Sequence, residues 1–494
     1  MKTDSTVLVY TTSGMSLPHL AIEREVLEKK LFQFNRKILL KCSGGLNTCY
    51  FNPVHNLLGC ALCQSRTEAN IKSRYKFDRV YNIQKKGNNY DNVIIEITSL
   101  TELMAYKYKE IEIGRGIGSS LISITRNSKL NIYNYTYFIE NSLKQAMQLV
   151  DQIEKIVNDN NVSDVILFNG RFFEHFPILS YCLQNKINYY THEKGANFNK
   201  YQLIKNHTVH SISYRKRQIE EVWNNYQGNN NKIADQWFLN KRKGIISTET
   251  NFTLGQTKGL LPKGFDKSFH NITIFNSSED EFKSIKEWDH ELFDTQNEII
   301  IKIAKSLKSN KKIRIYLRFH PNLKGIAREQ IDEIIKAKLS NVIIISPESK
   351  ISTYRLMSNS NKILSFGSRT SIEAAYWGTP SIIYGKSFYE SLDSLYKPAN
   401  YTSLIELLEN FNLKAKSGID LLKAALFLQE RGNQLEFAEI INKNNVYYKN
   451  KRLQKHYPLI IFYFICSLSN LGIWKNNFKE FYNKKLSFKD LLKI

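Results

Sequence analysis

VLVYTTSGMSLPHLAIEREVLEKKLFQFNRKILLKC, residues 7–42, decides the fold class. It opens on a β-branched run. Leu20, Ile22, Val26, Leu27 and Leu31 then recur at helical spacing, and KILLKC (37–42) is apolar again. Strand, helix and strand at this spacing predict two parallel neighbours in one sheet. Ligands of such sheets bind beyond the carboxyl ends of the strands. The loop 11–18 and the loop after Cys42 are therefore candidate rims of a site.

The pattern continues outward. An amphipathic stretch (136–158) precedes a strand, DVILFNG (164–170), a helix over 172–185 and a strand, INYYTHEKG (187–195). Residues 205–250 are polar, basic and Asn-rich, with helical pieces. A fresh α/β series begins at NITIFNSS (271–278). It runs through a helix over 281–309, KIRIYLRFHP (312–321), a short helix over 351–360, KILSFGS (362–368), SIEAAYWG (371–378), PSIIYG (380–385) and a helix over 403–411. The expected architecture is α/β, with two doubly wound, Rossmann-like domains over 1–265 and 266–413. Residues 414–494 read as a helical extension without strands.

The 494 residues are 42% apolar and 23% charged, which excludes global disorder and a polytopic membrane protein. Seventy Lys and Arg against 46 Asp and Glu leave a net charge of +24. Such an excess favours anionic partners: phosphorylated small molecules, acidic glycans or anionic lipid. Heavy use of Lys, Asn, Ile and Tyr together is equally a signature of compositional bias. The start of the chain reads as a strand rather than a secretory signal, so a cytoplasmic location is expected. Residues 457–474 (YPLIIFYFICSLSNLGIW) carry no charge but contain Pro, Asn, Gly and Ser. They read as a buried or membrane-surface helix rather than a span, which allows peripheral attachment to an anionic inner membrane. No nucleic-acid-binding framework accompanies the basic stretches, so no nucleic-acid partner is expected.

Two motifs mislead. GKS at 385–387 lacks the first glycine of a phosphate loop, since Pro380 stands there, and GRGIG (114–118) lacks the third glycine of a dinucleotide fingerprint. The latter, with no clear helix following, argues against hydride chemistry. The informative pair of loops is RFHPN (318–322) and GSRTSIE (367–373), each following a strand. Arg318, His320 and Arg369 offer charge-assisted bonds to phosphate. Gly367, Ser368 and Thr370 sit at the start of a helix, where free N–H groups favour anions. Asn322 belongs to the same loop, and Glu373 can accept from ribose hydroxyls. The plainer reading of Ser368, Thr370 and Glu373 is helix capping, with Glu373 as the capping-box partner. It leaves the His-Pro loop unexplained. Four cysteines, Cys42, Cys49, Cys60 and Cys63, are spaced C-x6-C-x10-C-x2-C. A structural zinc staple, with His55 as an alternative ligand, stands beside unliganded thiols and an iron–sulfur cluster as readings of this loop. Cys182 and Cys466 read as core.

At these residues the chain resembles the GT-B glycosyltransferases of bacterial capsule and surface-polysaccharide synthesis, a group that includes relatives of the capsule Kdo transferases. The blocks are SLPHLAIEREVLEK (16–29), the cysteine loop 42–63, LFNGRFFEH (167–175), THEKGANFNKYQL (191–203), RFHPNL (318–323) and SFGSRTSIEAAYWGTPSIIYGKSFYE (365–390). Lys194 departs from the arginine usual there. The resemblance spans residues 1–410. It implies two domains facing across a cleft, an arrangement shared with some nucleotide-sugar epimerases and polyol-phosphate transferases. It further implies sugar transfer from a CMP-, CDP- or UDP-linked donor, held by Arg318, His320, Asn322 and 367–373, to a glycan or lipid-linked acceptor. No metal or redox cofactor is expected for the chemistry. The first domain should then supply the acceptor site and any general base. Glu193 is the first candidate base and His19 the second, with Asn169, Arg171 and His192 at neighbouring strand ends. A CDP-polyol phosphotransferase and a silent glycan-binding scaffold are the alternatives.

Overall fold

A computed structural model describes residues 3–46, 49–53, 55–83, 90, 93, 95–245, 253, 255–289, 291–324 and 328–453. The chain divides into two compact units. One holds residues 1–124, 129–209 and 432–494, and the other holds 125–128 and 210–431.

The first unit is built on β1 (Thr3–Thr11), β2 (Phe34–Lys41) and β3 (Arg79–Asn82). A two-stranded ribbon follows, β4 (Lys107–Tyr108) with β5 (Ile111–Glu112), then β6 (Val162–Phe168), β7 (Asn188–Lys194) and β8 (Lys200–Lys205). With the later β14 (Asn433–Gln434), the sheet runs β14-β8-β7-β6-β1-β2-β3. β3, β2, β1, β6 and β7 are parallel, and β8 and β14 close one edge antiparallel. The helix Leu17–Lys30 makes the first crossover; Pro18 sits at its first turn, where a missing N–H costs nothing. Val7 and Val9 face that helix, while Leu8 and Tyr10 face the helix Thr136–Asn160, so β1 is apolar on both faces.

GRGIG, expected to precede no helix, begins one: Gly114–Thr125. Its glycines serve close packing. A Cβ on Gly116 would fall 2.5 Å from Phe176 Cβ. Spacing within a motif does not distinguish that use from phosphate binding.

The second unit's sheet contains β9 (His270–Phe275), β10 (Ile313–Arg318), β11 (Val342–Ile345), β12 (Lys362–Ser365) and β13 (Ser381–Ile383). Its order is β11-β10-β9-β12-β13, all parallel. Each unit is thus doubly wound α/β, the class expected from the sequence.

The boundaries differ from the expected 265/266 and 413/414. Trp237 and Phe238, on the helix Asn230–Lys243, bury against Ile372, Ala375 and Leu421–Leu428, so 210–265 and 414–431 belong with the second unit. Phe238 stacks on Tyr376 with centroids 3.8 Å apart. A narrow apolar stripe in an Asn-rich stretch concealed this core. Nor is the C-terminal region purely helical. After the helix Ile419–Glu430 come β14, then β15 (Ala438–Asn442), β16 (Asn445–Tyr448) and β17 (Lys451–Arg452) as a small antiparallel sheet. These strands are short and polar outside, and only Ala438, Ile440, Val446 and Tyr448 turn inward, onto the helix Leu17–Lys30. The buried Glu25 carboxylate fastens them by accepting the N–H groups of Glu436, Phe437 and Ala438 at 2.9, 2.9 and 3.1 Å. Residues 457–474 and Cys466 lie outside the described residues. Among the described residues no helix is long and apolar enough to cross a membrane.

Candidate functional site

In the second unit the chain leaves β9, builds outward through β10 and β11, then returns to β9's other side at β12. The loops at the carboxyl ends of β9, β10 and β12 therefore meet where the winding reverses, the place such sheets hold ligands. Phe275 and Asn276 after β9, Arg318 to Pro321 at β10, and Ser368, Arg369, Thr370 and Glu373 after β12 line one pocket. It encloses about 830 Å³ of space, part of it open to solvent.

The loops are tied to one another. The His320 backbone N–H donates to Asn276 Oδ1 at 2.7 Å. His320 Nδ1 accepts from the Asn322 N–H at 3.2 Å, so the neutral ring carries its proton on Nε2. Burial, with Arg369 nearby, pushes this imidazole down to about 4. Asn322 thus orients His320 and does not line the pocket, and Gly367 is likewise structural. Gly367 has φ +101°, and a Cβ there would lie 2.7 Å from Lys386 O.

Arg318 carries the strongest signal. The residue is 3% exposed, and its Nη2 donates to Ser349 O at 3.2 Å. Its Nε and Nη1 are buried with no hydrogen-bond partner among the described residues, and the same holds for Asn276 Nδ2 and Thr370 Oγ1. Burial depresses the guanidinium to about 10. Unmet buried donors cost about 1–3 kcal/mol each, more for charged groups, and concentrate at functional sites. An anion in the pocket would satisfy them.

The capping box expected with Glu373 does not form. Arg369 is the N-cap position, without a side-chain cap. Glu373 is buried and accepts from Tyr354 OH. Burial raises both its pKa and that of Tyr354. The Thr370 and Ser371 N–H groups are already engaged by Ser368, at 3.3 and 3.1 Å, and the helix Thr370–Tyr376 has only seven residues. Side chains rather than a helix terminus supply the positive charge. Lys241 and Tyr354 also line the pocket and were missed by sequence reasoning. Lys241 lies in the Asn-rich stretch assigned to the other domain, and Tyr354 in an unremarkable short helix. Asn276, by contrast, ends a strand, a position that could have marked it.

The first unit reverses its winding between β1 and β6, and another polar group gathers at those strand ends. His19 Nε2 lies 3.2 Å from Glu193 Oε1. Asn169 Nδ2 donates to Glu193 Oε2 at 2.7 Å, and the Lys194 N–H donates to Oε1 at 3.0 Å. The two candidate bases therefore form one unit with Asn169. Burial, reinforced by Lys194, pushes the His19 imidazole down to about 3, so the contact is a hydrogen bond from a neutral ring rather than an ion pair. His19 and His175 pack edge-on against Phe168, at centroid distances of 4.5 and 5.4 Å, and His192 is tilted against it at 5.8 Å. His175 Nε2 shares a hydrogen bond with Thr12 Oγ1 at 2.8 Å. His192 is 1% exposed, with neither ring nitrogen partnered among the described residues. Burial holds both these rings near 3 as well. Arg171 turns elsewhere, donating to Ser123 Oγ at 2.8 Å.

Cys42, Cys49, Cys60 and Cys63 are free thiols. Among the described residues no group of three or more His, Cys, Asp or Glu side chains is arranged to hold a metal ion. Burial, then the charges of Glu174, Cys63, Cys42 and Cys60, raises the Cys49 thiol, so the structure brings the four cysteines near one another. Cys60 Sγ accepts from Asn52 Nδ2 at 3.2 Å, and burial pushes the Cys63 thiol up to about 12.

No family model matches the chain, and no curated protein matches it. Among solved structures it is similar to KpsC, beta Kdo 2,4 transferase, from Thermosulfurimonas dismutans, at 13% identity over 54% of this chain and 80% of that one, with a TM-score of 0.35. It is similar to that organism's KpsC, beta Kdo 2,7 transferase, at 13% identity over 56% and 80%, with a TM-score of 0.32. It is also similar to a UDP-GlcNAc 2-epimerase from Neisseria meningitidis bound to UDP-GlcNAc, at 12% identity over 85% and 97%, with a TM-score of 0.30.

Proposed function

We propose that this chain is a glycosyltransferase taking its sugar from a nucleotide-activated donor held in the second unit's pocket. The observation that carries this reading is Arg318. It is a buried guanidinium with two unmet donor groups, beside Arg369, Lys241 and the Nε2–H of His320. A desolvated cation cluster of this kind suits a phosphate that must bind tightly and then gain charge. As the bond from the anomeric carbon to the phosphate oxygen breaks, the departing nucleotide takes the electron pair. The same donors then stabilise it more strongly than they did the donor sugar. Glu373, held by Tyr354, would accept from ribose hydroxyls. The incoming nucleophile is a hydroxyl of a glycan or lipid-linked acceptor, and the net charge of +24 would favour work at an anionic membrane surface.

The experiment is a thermal-shift panel of CMP, CDP, UDP, GDP and their sugar conjugates, followed by release of free sugar from whichever conjugate binds. Binding at a hundredfold excess over Kd should stabilise the native state by about 2.7 kcal/mol. Slow release of sugar in water alone should accompany it. If none shifts the unfolding temperature at millimolar concentration, the assignment fails. Binding without any sugar release would indicate a silent binding subunit instead.

A further inference from the structure

The first unit gathers four half-buried thiols, Cys42, Cys49, Cys60 and Cys63, from three separate pieces of chain. Cys42 follows β2. Cys49 opens a tight turn that its backbone closes with Asn52, at 3.4 and 3.0 Å. Cys60 and Cys63 lie on the helix Leu57–Thr67. Residues three apart on a helix share a face, so these last two are neighbours by construction. Hydrogen bonds bring the others to them. Asn52 Nδ2 donates to Cys60 Sγ at 3.2 Å, which sets the Cys49 turn against the helix. The Cys42 N–H donates to Thr11 O at 3.2 Å, and Cys63 Sγ donates to Thr12 O at 3.7 Å, so these two cysteines hold adjacent residues where β1 ends. The helix comes so close to that loop that a Cβ on Gly14 would fall 2.3 Å from Cys63 O and 3.0 Å from Cys63 Sγ.

The electrostatics agree with this geometry. After burial, the charges of Cys63, Cys42 and Cys60 oppose ionisation of Cys49. Those of Cys42 and Cys60 oppose ionisation of Cys63, and that of Cys42 opposes ionisation of Cys60. Every pair among the four is therefore close. Thiols kept protonated in this way are poor nucleophiles, which argues against a catalytic use. A dication reverses the balance, because sulfurs that repel one another as thiolates are each attracted to it.

From this arrangement we propose that Cys42, Cys49, Cys60 and Cys63 bind one zinc ion as four thiolates. Zinc suits four sulfur ligands, and a site so filled keeps no open position for chemistry. Among the described residues no three such side chains yet converge as ligands. The hydrogen bonds above already hold the backbones together, so convergence takes rotation about the Cα–Cβ bonds. As the ion binds, each S–H bond breaks, its proton passes to solvent, and the sulfur's electron pair goes to the metal. Arg66, beside Cys63 and anchored on Gly14 O and Met15 O at 3.3 and 3.1 Å, offsets part of the negative charge that results. The Asn52 amide gives Cys60 Sγ an outer hydrogen bond of the kind that orients metal ligands. The ion would fasten the loop after β1 to the end of β2 and to the helix Leu57–Thr67. The site lies within the first unit and does not depend on what the second unit binds.

The test uses the full chain, purified under reducing conditions without an affinity tag. Elemental analysis should find about one zinc per chain. After a chelator removes it, cobalt(II) should bind with the intense sulfur-to-metal charge-transfer bands of tetrahedral thiolate coordination. The double variant Cys60→Ser, Cys63→Ser should lose both the zinc and the cobalt spectrum, whereas Cys182→Ser, at a buried thiol on another helix, should keep both. In the wild type, removal of zinc should cost hydrogen-exchange protection in peptides covering 11–16 and 57–67 and leave the second unit's peptides unchanged. A chain with neither zinc nor a cobalt–thiolate spectrum overturns the proposal. So does iron with sulfide in place of zinc, or a double variant that keeps its zinc. Should that variant fail to fold, the wild-type cobalt spectrum decides alone, and absence of the thiolate bands ends the proposal.

Discussion

The two units wind their parallel strands in the same order about a central first strand, β1 in one and β9 in the other, yet they arm the carboxyl ends differently. The second unit places Arg318, Arg369 and Lys241 around a pocket with one buried carboxylate, Glu373. The first places three neutral histidines there, and its carboxylates Glu193, Glu174 and Glu23 are held by hydrogen bonds from Asn169, the Tyr50 N–H, and Thr11 with Ser13. One backbone plan therefore presents a cluster of cationic side chains in one unit and buried neutral imidazoles in the other. Charge placement, not topology, separates their roles.

The sharpest way to break this comparison is Arg318→Ala. It removes two charge-assisted donors, each contributing about 1.5–3 kcal/mol, so nucleotide affinity should fall at least roughly 100-fold by calorimetry. An unchanged affinity would mean that the pocket is no anion receptor. The next effect concerns stability. Burial raises Glu23 and Glu174 to about 7 and lowers His19, His175 and His192 to about 3. The histidines bind protons more readily unfolded, so their contribution is lost as pH falls from about 6.5 towards 3. The carboxyls bind protons more readily folded, so theirs is lost as pH rises from about 4.5 to 7. Three groups against two set the first unit's optimum near pH 6.5, with the larger total fall on the acid side. Glu23→Gln should stabilise the unit at pH 8 by about 1–3 kcal/mol, read by hydrogen exchange of its peptides. Tyr354→Phe should be milder: loss of the donor to Glu373 should weaken nucleotide binding several-fold, about 1 kcal/mol. The second unit's own pH dependence comes from Lys362, wholly buried and donating to Leu408 O at 2.6 Å, which burial lowers to about 8. It binds its proton more readily unfolded, so the second unit should gain stability from about pH 8 to 10.5. Lys362→Met should abolish that gain. If exchange in both units follows the same alkaline profile, the electrostatic contrast is wrong.

Much of this was legible in advance because it rests on local signals. Strand ends carrying Arg318 and His320, and the small polar residues at 367–370, stand out by residue type alone, and the structure brings them to one pocket. The His19–Glu193 pair could be suspected only as two separate residues, because they are 174 positions apart. Their hydrogen bond is a product of the winding, which no window of sequence contains. Lys241 and Tyr354 were illegible for the same reason. The misjudged glycines of 114–118 show the converse: a motif can be read correctly as spacing and still serve packing. The strands beyond Gly432 were missed because they run only two to five residues, two of them wholly polar, too short for a periodic signal.

Those late strands have a consequence for how the chain is made. The first unit is interrupted by the 222 residues from His210 to Arg431 and resumes only at Gly432. On a ribosome adding ~5–20 residues per second, roughly 10–45 s separate the emergence of β8 from that of the segment that completes its sheet. Through that interval β8 lacks its outer neighbour, the helix Leu17–Lys30 lacks its cover, and the Glu25 carboxylate waits for the three N–H groups it will hold. The second unit, made without interruption but for a four-residue piece, can finish first. A nascent chain of this protein should therefore depend on holding chaperones late in synthesis, and chiefly for its own beginning.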